Sequence, residues 1–336
     1  MEKLVFYEES SSFNLTINGQ TTPFNYYPSR EGIWSGMKED DFDIVLLNNP
    51  FLHRETDWFE VRFDNTDERG GFLLPIELLE SEEVTDKYLL SYMFISYQIL
   101  LRQITEIPSS ELLSEIYSDA FVLVIHKKTK HDFRLEEYVF SLAKYGFYNY
   151  IGQLKVDYPR IYCIESHPRN LLLKKSVVDN LSNGYVKDLV SNRLCNTGDF
   201  ITRFVLVYQI VELYISEIHQ NLLNEKINKY KAGKLTRNDF SEELKDISKE
   251  STQIKELVND YIDEKESIDY IQEVRSLFND VDYKVKHESL DSMLYALRNQ
   301  LFHNYGIFDC HEEALNQVIF RFERVIMMLL SKRLIK

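Results

Sequence analysis

The residues best suited to chemistry in this sequence lie close together, in the segment LRNQLFHNYG at residues 297–306. Arg298 keeps its charge at physiological pH and can form paired hydrogen bonds with phosphate oxygens. The imidazole of His303 can gain or lose a proton near neutral pH. Asn299 follows the arginine directly and can orient the histidine or a phosphate. Together these residue types predict proton transfer at a phosphate group.

The spacing of Arg298 and His303 limits how they can act together. Five residues along an α-helix correspond to a rotation of about 140° and a rise of about 7.5 Å. The two side chains therefore do not share one face of an isolated helix. For both to act on one ligand, we expect a second helix, or a second copy of this one, to close over them.

A carboxylate on an earlier helix is the expected partner of this pair. Glu212 falls within an apolar stripe of a helix that is predicted to begin at Thr197 or Asp199. The other members of the stripe are Ile201, Val205, Tyr208, Ile215 and His219. A carboxylate among apolar side chains is costly unless it is paired, so we expect Glu212 to bind Arg298 or His303. The alternative is a purely structural ion pair between glutamate and arginine.

Residues 1–195 have the pattern of an α+β domain. Short β-branched or aromatic runs between turn residues predict strands at LVFYEE, FNLTI, FDIVLL, WFEVRF, FVLVIH and RIYCIE. Helices are predicted at residues 85–104, 109–118 and 133–146, and the last of these ends at Gly146 as C-cap. The ERGG segment at residues 68–71 is predicted to be a hairpin turn.

Residues 196–336 carry helical periodicity and predict an all-α antiparallel helical bundle. The helix that contains Glu212 is expected to end near residue 224, and residues 239–280 continue in helical period. The helix that carries Arg298 and His303 is expected over residues 289–305, with Gly306 as its C-cap. A last helix, 311–333, has an apolar stripe of Leu315, Val318, Ile319, Phe322, Val325, Ile326 and Leu329.

Composition and charge exclude several classes of protein. A net charge of −15 over 336 residues argues against non-specific coating of nucleic acid, which depends on clustered lysine and arginine. The N-terminus lacks the pattern of a signal peptide, and the longest uncharged run, residues 88–101, is too short to span a bilayer comfortably. The three cysteines are far apart and form no CxxC pair. We therefore expect a cytoplasmic protein with no membrane partner, no metal and no other cofactor.

Basic residues are nevertheless concentrated in two segments. Residues 226–238 contain no acid and five basic side chains, Lys226, Lys229, Lys231, Lys234 and Arg237. The segment HKKTKHDFR at residues 126–134 is the second cluster. Either can contact phosphate groups of RNA. The alternative is a solvated loop after a helix end, where lysine is favoured for electrostatic reasons.

The segment RNQLFH resembles the R-x4-H motif of the HEPN superfamily, and Asn299 matches the polar residue that commonly follows the motif arginine. YQIVELYI, at residues 208–215, is similar to the family's helix that brings an acidic or polar residue to the site. The resemblance covers residues 199–336 and is nearest to the ApeA-like branch, in which a HEPN domain follows an unrelated N-terminal domain.

The resemblance implies a metal-independent endoribonuclease that cleaves RNA by attack of the 2′-hydroxyl group. In such proteins the motif helices of two protomers meet, so it implies a homodimer with two copies of Arg298 and His303. Asn299 and Glu212 would complete the catalytic set. It also implies a toxin or effector in prokaryotic antiphage defence, with residues 1–195 as a sensor or regulatory domain that receives a trigger.

Two other readings of the same resemblance stay open. One is a catalytically silent HEPN bundle used for dimerisation or ligand binding. The other follows from Tyr305, which extends the motif to R-x4-H-x-Y and resembles HEPN toxins whose motif tyrosine is modified by a nucleotidyltransferase antitoxin. For Tyr305 itself, the alternative to this regulatory role is simple packing at the end of the helix.

Overall fold

A computed structural model of the chain describes residues 3–7, 12–17, 20–24, 39–49, 58–63, 69–81, 87–103, 113–117, 120–129, 133–150, 169–175, 184–259 and 264–333. These residues form two compact units. The first contains the described residues up to 135, with 149–150 and 169–173, and the second contains 136–148 and the described residues from 174 onwards. Residues 136–148, 174–175 and 184–195, assigned to the N-terminal domain from the sequence, thus group with the helices that follow.

The first unit contains two β-sheets. Strands β1 (Lys3–Tyr7), β2 (Ser12–Ile17) and β3 (Gln20–Phe24) form an antiparallel sheet in that order. The larger sheet is built from β4 (Phe42–Asn48), β5 (Phe59–Phe63), β6 (Arg69–Pro75), β7 (Ala120–His126), β8 (Tyr148–Asn149) and β9 (Asn170–Leu173). Of the two residues of β8, only Asn149 is counted in the first unit. Its spatial order is β8-β4-β7-β6-β5-β9. The β5–β9 pair is parallel, whereas β4–β7, β7–β6 and β6–β5 are antiparallel.

Strand β7 lies in the interior of this sheet. Every residue of β7 before His126 is buried, as expected for an apolar run covered on both faces. Helix α1 (Lys87–Gln103) packs against β6 and β7. A Cβ atom at Gly71 on β6 would lie 2.1 Å from the carbonyl oxygen of Val124 on β7. Glycine therefore allows the two strands to approach.

Most of the predicted N-terminal elements are confirmed. The strands expected at LVFYEE, FNLTI, FDIVLL, WFEVRF and FVLVIH are β1, β2, β4, β5 and β7. The helix expected at 109–118 is a single turn, α2 (Leu113–Ile116). That expected at 133–146 is a 3-10 turn followed by α3 (Val139–Lys144), and Gly146 has the left-handed φ of 81° expected of its cap.

Two expectations for this region have other outcomes. The hairpin turn at residues 68–71 is wrong, because Arg69, Gly70 and Gly71 belong to β6. The strand expected at RIYCIE lies outside the described residues.

The second unit is helical, which confirms the helical C-terminal region. Its helices after α3 are α4 (Gly184–Asp188), α5 (Phe200–Lys231), α6 (Arg237–Ile247), α7 (Glu250–Asn259), α8 (Glu264–Asp280), α9 (Leu290–His303) and α10 (Glu312–Arg333). Around its core, α5 packs on α7, α7 on α9, α9 on α8, α8 on α10, and α10 again on α5. None of the helices in the described part of the chain is long and apolar enough to cross a membrane.

Capping residues explain where α5 and α6 begin. The side chain of Asp199 accepts a hydrogen bond from the backbone nitrogen of Thr202 at 2.6 Å, which confirms Asp199 as the N-cap of α5. The helix continues to Lys231, beyond the end expected near residue 224. Thr236 and Asp239 form a capping box that starts α6.

Helix α10 is buried over most of its length. Its seven predicted stripe residues are all buried, and all the remaining residues from 318 to 331 are buried as well. These include Glu323, which forms an ion pair at 2.7 Å with the equally buried Arg203 of α5. Local sequence patterns do not predict this buried ion pair.

Candidate active site

Helix α9 presents the candidate residues on its open side. Arg298 and Asn299 are half-buried, and His303 is exposed. The buried side chains of the helix are Leu290, Met293, Leu294, Ala296, Leu297, Gln300 and Leu301. The helix ends at His303, with Asn304 as its cap, so the expected end at Tyr305 with Gly306 as C-cap is wrong. The residues from Tyr305 to Phe308 instead form a short 3-10 turn.

Arg298, Asn299 and His303 meet within a single chain. Nη1 of Arg298 donates a hydrogen bond to Oδ1 of Asn299 at 3.1 Å and lies 3.5 Å from Nε2 of His303. The arginine side chain is long enough to bridge the rotation of about 140° between the two positions. Neither a second helix nor a second copy is needed to bring them together, contrary to the expectation from their spacing.

Two aromatic rings hold the guanidinium group near the end of the helix. Cζ of Arg298 lies 5.1 Å from the ring centroid of Phe302 and 5.8 Å from that of Tyr208 on α5. Both distances suit cation–π attraction. Because Phe302 lies one turn after Arg298 and directly before His303, this contact draws the guanidinium toward the histidine.

Glu250, at the start of α7, is the acidic partner of Arg298. Nε of Arg298 lies 3.5 Å from Oε1 of Glu250, and the two side chains are 22% and 26% exposed. Glu212, which was expected in this role, is exposed, so its expected burial is wrong. No ion pair between described residues joins Glu212 to Arg298 or His303.

Tyr208 fixes Glu250 from the other side. Its hydroxyl group donates a hydrogen bond to Oε1 of Glu250. Burial, this hydrogen bond and the negative charge of Glu250 together raise the pKa of Tyr208 well above its ordinary value, while the charge of Arg298 opposes the rise. Tyr208 therefore stays protonated at neutral pH and remains a donor to Glu250.

An apolar patch, formed by Phe302, Tyr305 and Ile307, adjoins His303. Their side chains are 46%, 44% and 38% exposed. Single exposed apolar residues are ordinary, but three within six residues, at the end of α9 and in the turn after it, suit contact with a partner. Because Tyr305 is exposed, its hydroxyl group is accessible to a modifying enzyme, and its ring is accessible to a packing partner.

The basic residues expected to hold RNA are only partly free. Lys226 pairs with Glu243 at 3.0 Å, and Lys229 pairs with Glu225. The remaining members of the cluster are exposed, namely Lys231, Lys234 and Arg237.

This cluster is also remote from the candidate site. Tyr208, which contacts Arg298, and Lys229 are 21 residues apart on α5, or about 30 Å along its axis. The structure therefore does not bring these lysines to His303. In the other basic segment, which belongs to the first unit, Lys127 pairs with Asp43 at 3.4 Å.

Sequence reasoning missed Glu250, the contact of Tyr208 with Arg298, and a loop before α9 that borders Asn299. Glu250 lies in a highly charged stretch, and no local pattern distinguishes it from its acidic neighbours. The loop did offer a signal, because its sequence YKVKH, at residues 283–287, is basic and leads directly into the helix of Arg298.

Comparison with protein-family models, curated proteins and solved structures finds no match for this chain. Among the residues that the structure describes, no group of three or more histidine, cysteine, aspartate or glutamate side chains is arranged to hold a metal ion. A functional assignment therefore rests on the residues of the site and their geometry.

Proposed function

We propose that this protein is an endoribonuclease of the HEPN type, with its active site at the C-terminal end of α9. The observation that carries the proposal is the distance of 3.5 Å between Nη1 of Arg298 and Nε2 of His303 on an exposed helix end. A guanidinium and an imidazole at this separation can contact one phosphodiester group together. The resemblance of RNQLFH to the R-x4-H motif supports the same assignment.

The proposed reaction is an internal transesterification that side chains alone can catalyse. The ribose 2′-hydroxyl gives its proton to a base, and its oxygen forms a bond to phosphorus. The bond between phosphorus and the 5′-oxygen breaks, and an acid gives that oxygen a proton. The products are a 2′,3′-cyclic phosphate and a 5′-hydroxyl end.

Each residue of the site has a part in this reaction. Arg298 binds the non-bridging oxygens and stabilises the charge that develops on them in the transition state. His303 transfers one of the two protons. Asn299 orients the guanidinium through its hydrogen bond, and Glu250 keeps Arg298 in place.

A homodimer would supply the second proton-transfer group, because one chain contributes one His303. The apolar patch of Phe302, Tyr305 and Ile307 supports dimerisation through α9, since it borders His303 and exposes more than a third of each side chain. In this arrangement the two copies of His303 serve as base and acid on the same phosphodiester.

The proposed cellular role is that of a toxin or effector in prokaryotic antiphage defence, with the first unit as the part that receives a trigger. This role follows from the resemblance to the ApeA-like branch. Nucleotide transfer to Tyr305 is a second candidate, as a form of regulation. The observation in its favour is the 44% exposure of Tyr305, two residues after His303.

RNA cleavage in the presence of EDTA tests the proposal. Wild type, His303→Ala and a control, His219→Ala on α5, are compared, and the ends of the products are identified. Cleavage by wild type and the control alone, leaving 2′,3′-cyclic phosphate, is the expected result. Equal cleavage by His303→Ala refutes the assignment. A second measurement follows the growth of cells that express the wild-type protein. If wild type neither cleaves RNA nor arrests growth, a catalytically silent bundle is favoured. Mass spectrometry of the protein purified from cells tests for a nucleotide on Tyr305.

A further inference from the structure

A pocket of about 300 Å³ lies beside the candidate active site, between α7, α9 and the loop that joins α8 to α9. The loop lines it with Lys284, Lys286 and His287. Helix α9 contributes Tyr295 and Asn299. A volume of this size is at the lower end of the range for small-molecule sites, so it suits one nucleotide unit.

Basic side chains outnumber acidic ones in the lining of the pocket, although the protein as a whole is acidic. Its charged lining groups are Lys284, Lys286 and Asp291, with His287 as a further group that can become charged. Within the part of the chain that the structure describes, no hydrogen bond or ion pair engages the side chains of the two lysines or the histidine. All three are exposed at the rim. They are thus available to an anionic ligand.

The loop that carries these cations is held at its start. Asp282 has a left-handed φ of 53°, and the backbone nitrogen of Tyr283 donates to the carbonyl oxygen of Phe278 at 2.8 Å. The rings of Tyr283 and Phe278 also pack at 4.9 Å. This is the hydrogen-bond and apolar contact pattern of a Schellman motif. The motif therefore fixes the backbone immediately before Lys284.

The pocket and the active site share a wall. Asn299 lines the pocket and accepts the hydrogen bond of Arg298 at 3.1 Å. On the other side, Ser251 lines the pocket and directly follows Glu250, the ion-pair partner of Arg298. A strand of RNA whose phosphate lies on Arg298 and His303 would therefore place a neighbouring nucleotide at the pocket.

We infer that this pocket binds the nucleotide next to the scissile phosphate of a single-stranded RNA. Lys284 and Lys286 contact the phosphate of that nucleotide, as cations do in single-strand grooves. Tyr295 provides a ring for stacking of the base, and Asp291 can accept a hydrogen bond from a ribose hydroxyl or a base amino group. The inference rests on the proposed function. It also moves the main RNA contact from residues 226–237 to residues 284–287.

RNA binding by the full chain over a salt series tests this assignment. All proteins carry His303→Ala, so that the probe, a short mixed-sequence single-stranded RNA, is not consumed. Lys284→Ala/Lys286→Ala is compared with the control Lys231→Ala/Lys234→Ala, which removes the same charge from exposed positions elsewhere. Two lost phosphate contacts predict an affinity lower by about 25-fold at about 0.1 M salt, and a salt slope smaller by about 1.4. Circular dichroism checks that each variant is folded.

The possible outcomes separate this inference from the proposed function. Weaker binding and a smaller slope for the pocket variant alone support the inference, and Tyr295→Ala should then weaken binding without changing the slope. An unchanged pocket variant, or an equal loss in the control, overturns it. In that case His303-dependent cleavage by the otherwise wild-type protein still leaves the proposed function standing. Pocket-dependent binding without any cleavage by wild type would support the pocket and reject the nuclease.

Discussion

Replacing Glu250 by glutamine tests how Arg298 is held in the site. Glutamine has nearly the same shape as glutamate, and its amide oxygen can still accept the hydrogen bond from Tyr208. The substitution therefore removes the charge opposite Arg298 and little else. Without its ion pair, the guanidinium gains freedom to leave its position beside His303.

The size of the effect follows from the geometry of the ion pair. At 3.5 Å, two unit charges attract by about 5 kcal/mol at an effective dielectric constant of about 20. The side chains are 22% and 26% exposed, so screening and desolvation reduce the net coupling to about 1 kcal/mol. A loss of that size in the transition state slows the reaction about fivefold.

We expect this loss in kcat and not in KM. Removal of the carboxylate makes the site more positive, which favours phosphate binding and offsets the looser position of Arg298, so KM should stay the same or fall. The measurement is steady-state cleavage of an RNA substrate by Glu250→Gln, with two controls. Glu256→Gln removes an exposed charge from the same helix, and Glu212→Gln removes the carboxylate that the sequence favoured.

Both controls should keep the wild-type kcat. The reasoning is refuted if Glu250→Gln has an unchanged kcat, or if Glu212→Gln loses as much as Glu250→Gln does. A higher KM at constant kcat would also contradict it, because that pattern indicates loss of ground-state binding.

Three further predictions concern the two units. Glu323→Gln leaves the buried guanidinium of Arg203 without its counter-charge and should lower the free energy of unfolding by about 3–5 kcal/mol, measured with urea; the double variant Arg203→Met/Glu323→Leu should cost less. Gly71→Ala should make the first unit more sensitive to proteolysis, because its Cβ would lie 2.1 Å from a backbone oxygen. The control Gly184→Ala, in the second unit and with open space around its Cβ, should leave the sensitivity of the protein to proteolysis unchanged. Burial raises the pKa of Cys195 to about 11. In a variant whose other two cysteines are changed to serine, alkylation of Cys195 at about pH 8 should therefore be slow until urea unfolds the chain. Rapid alkylation of the folded protein would contradict this.

The elements that the sequence predicts well are those in which local pattern and tertiary packing agree. The apolar stripe of α10 is wide and repeats over several turns, so its burial follows from periodicity alone. Asp199 is a capping residue immediately before a helical pattern, and its side chain needs no distant contact to cap α5. The end of α9 differs because Asn304 already stops the helix, two residues before the glycine that the capping rule favours.

Glu212 shows why the partner of Arg298 could not be predicted. The stripe chosen from the sequence ran through Tyr208 and Glu212, but Tyr208 lies at the margin of the face that α5 buries. Glu212, four residues later, is rotated by about 40° further from that face and points away from it. Glu250 comes close to Arg298 through the packing of α7 on α9, which no local pattern contains.

Two arginines of the helical unit illustrate what only the structure can separate. Both sit among apolar residues on helices, and periodicity treats them alike. A guanidinium has five N–H donors. Those of Arg203 bind five oxygens on four residues, namely both carboxylate oxygens of Glu323, the hydroxyl of Tyr148 and the carbonyl oxygens of Leu194 and Thr197. Arg203 therefore has no unused N–H donor for a ligand.

Arg298 is in the opposite position. Within the described part of the chain, its hydrogen bonding consists of the donation to Asn299 and the approach to His303, both through Nη1. Its Nε lies 3.5 Å from Glu250 without forming a hydrogen bond, and 22% of the side chain is exposed. A buried arginine with all its donors engaged stabilises a fold. One that is held by an ion pair and two rings, with unused donors beside an exposed imidazole, suits the binding of an anion. This difference is the physical basis for proposing an active site at the end of α9.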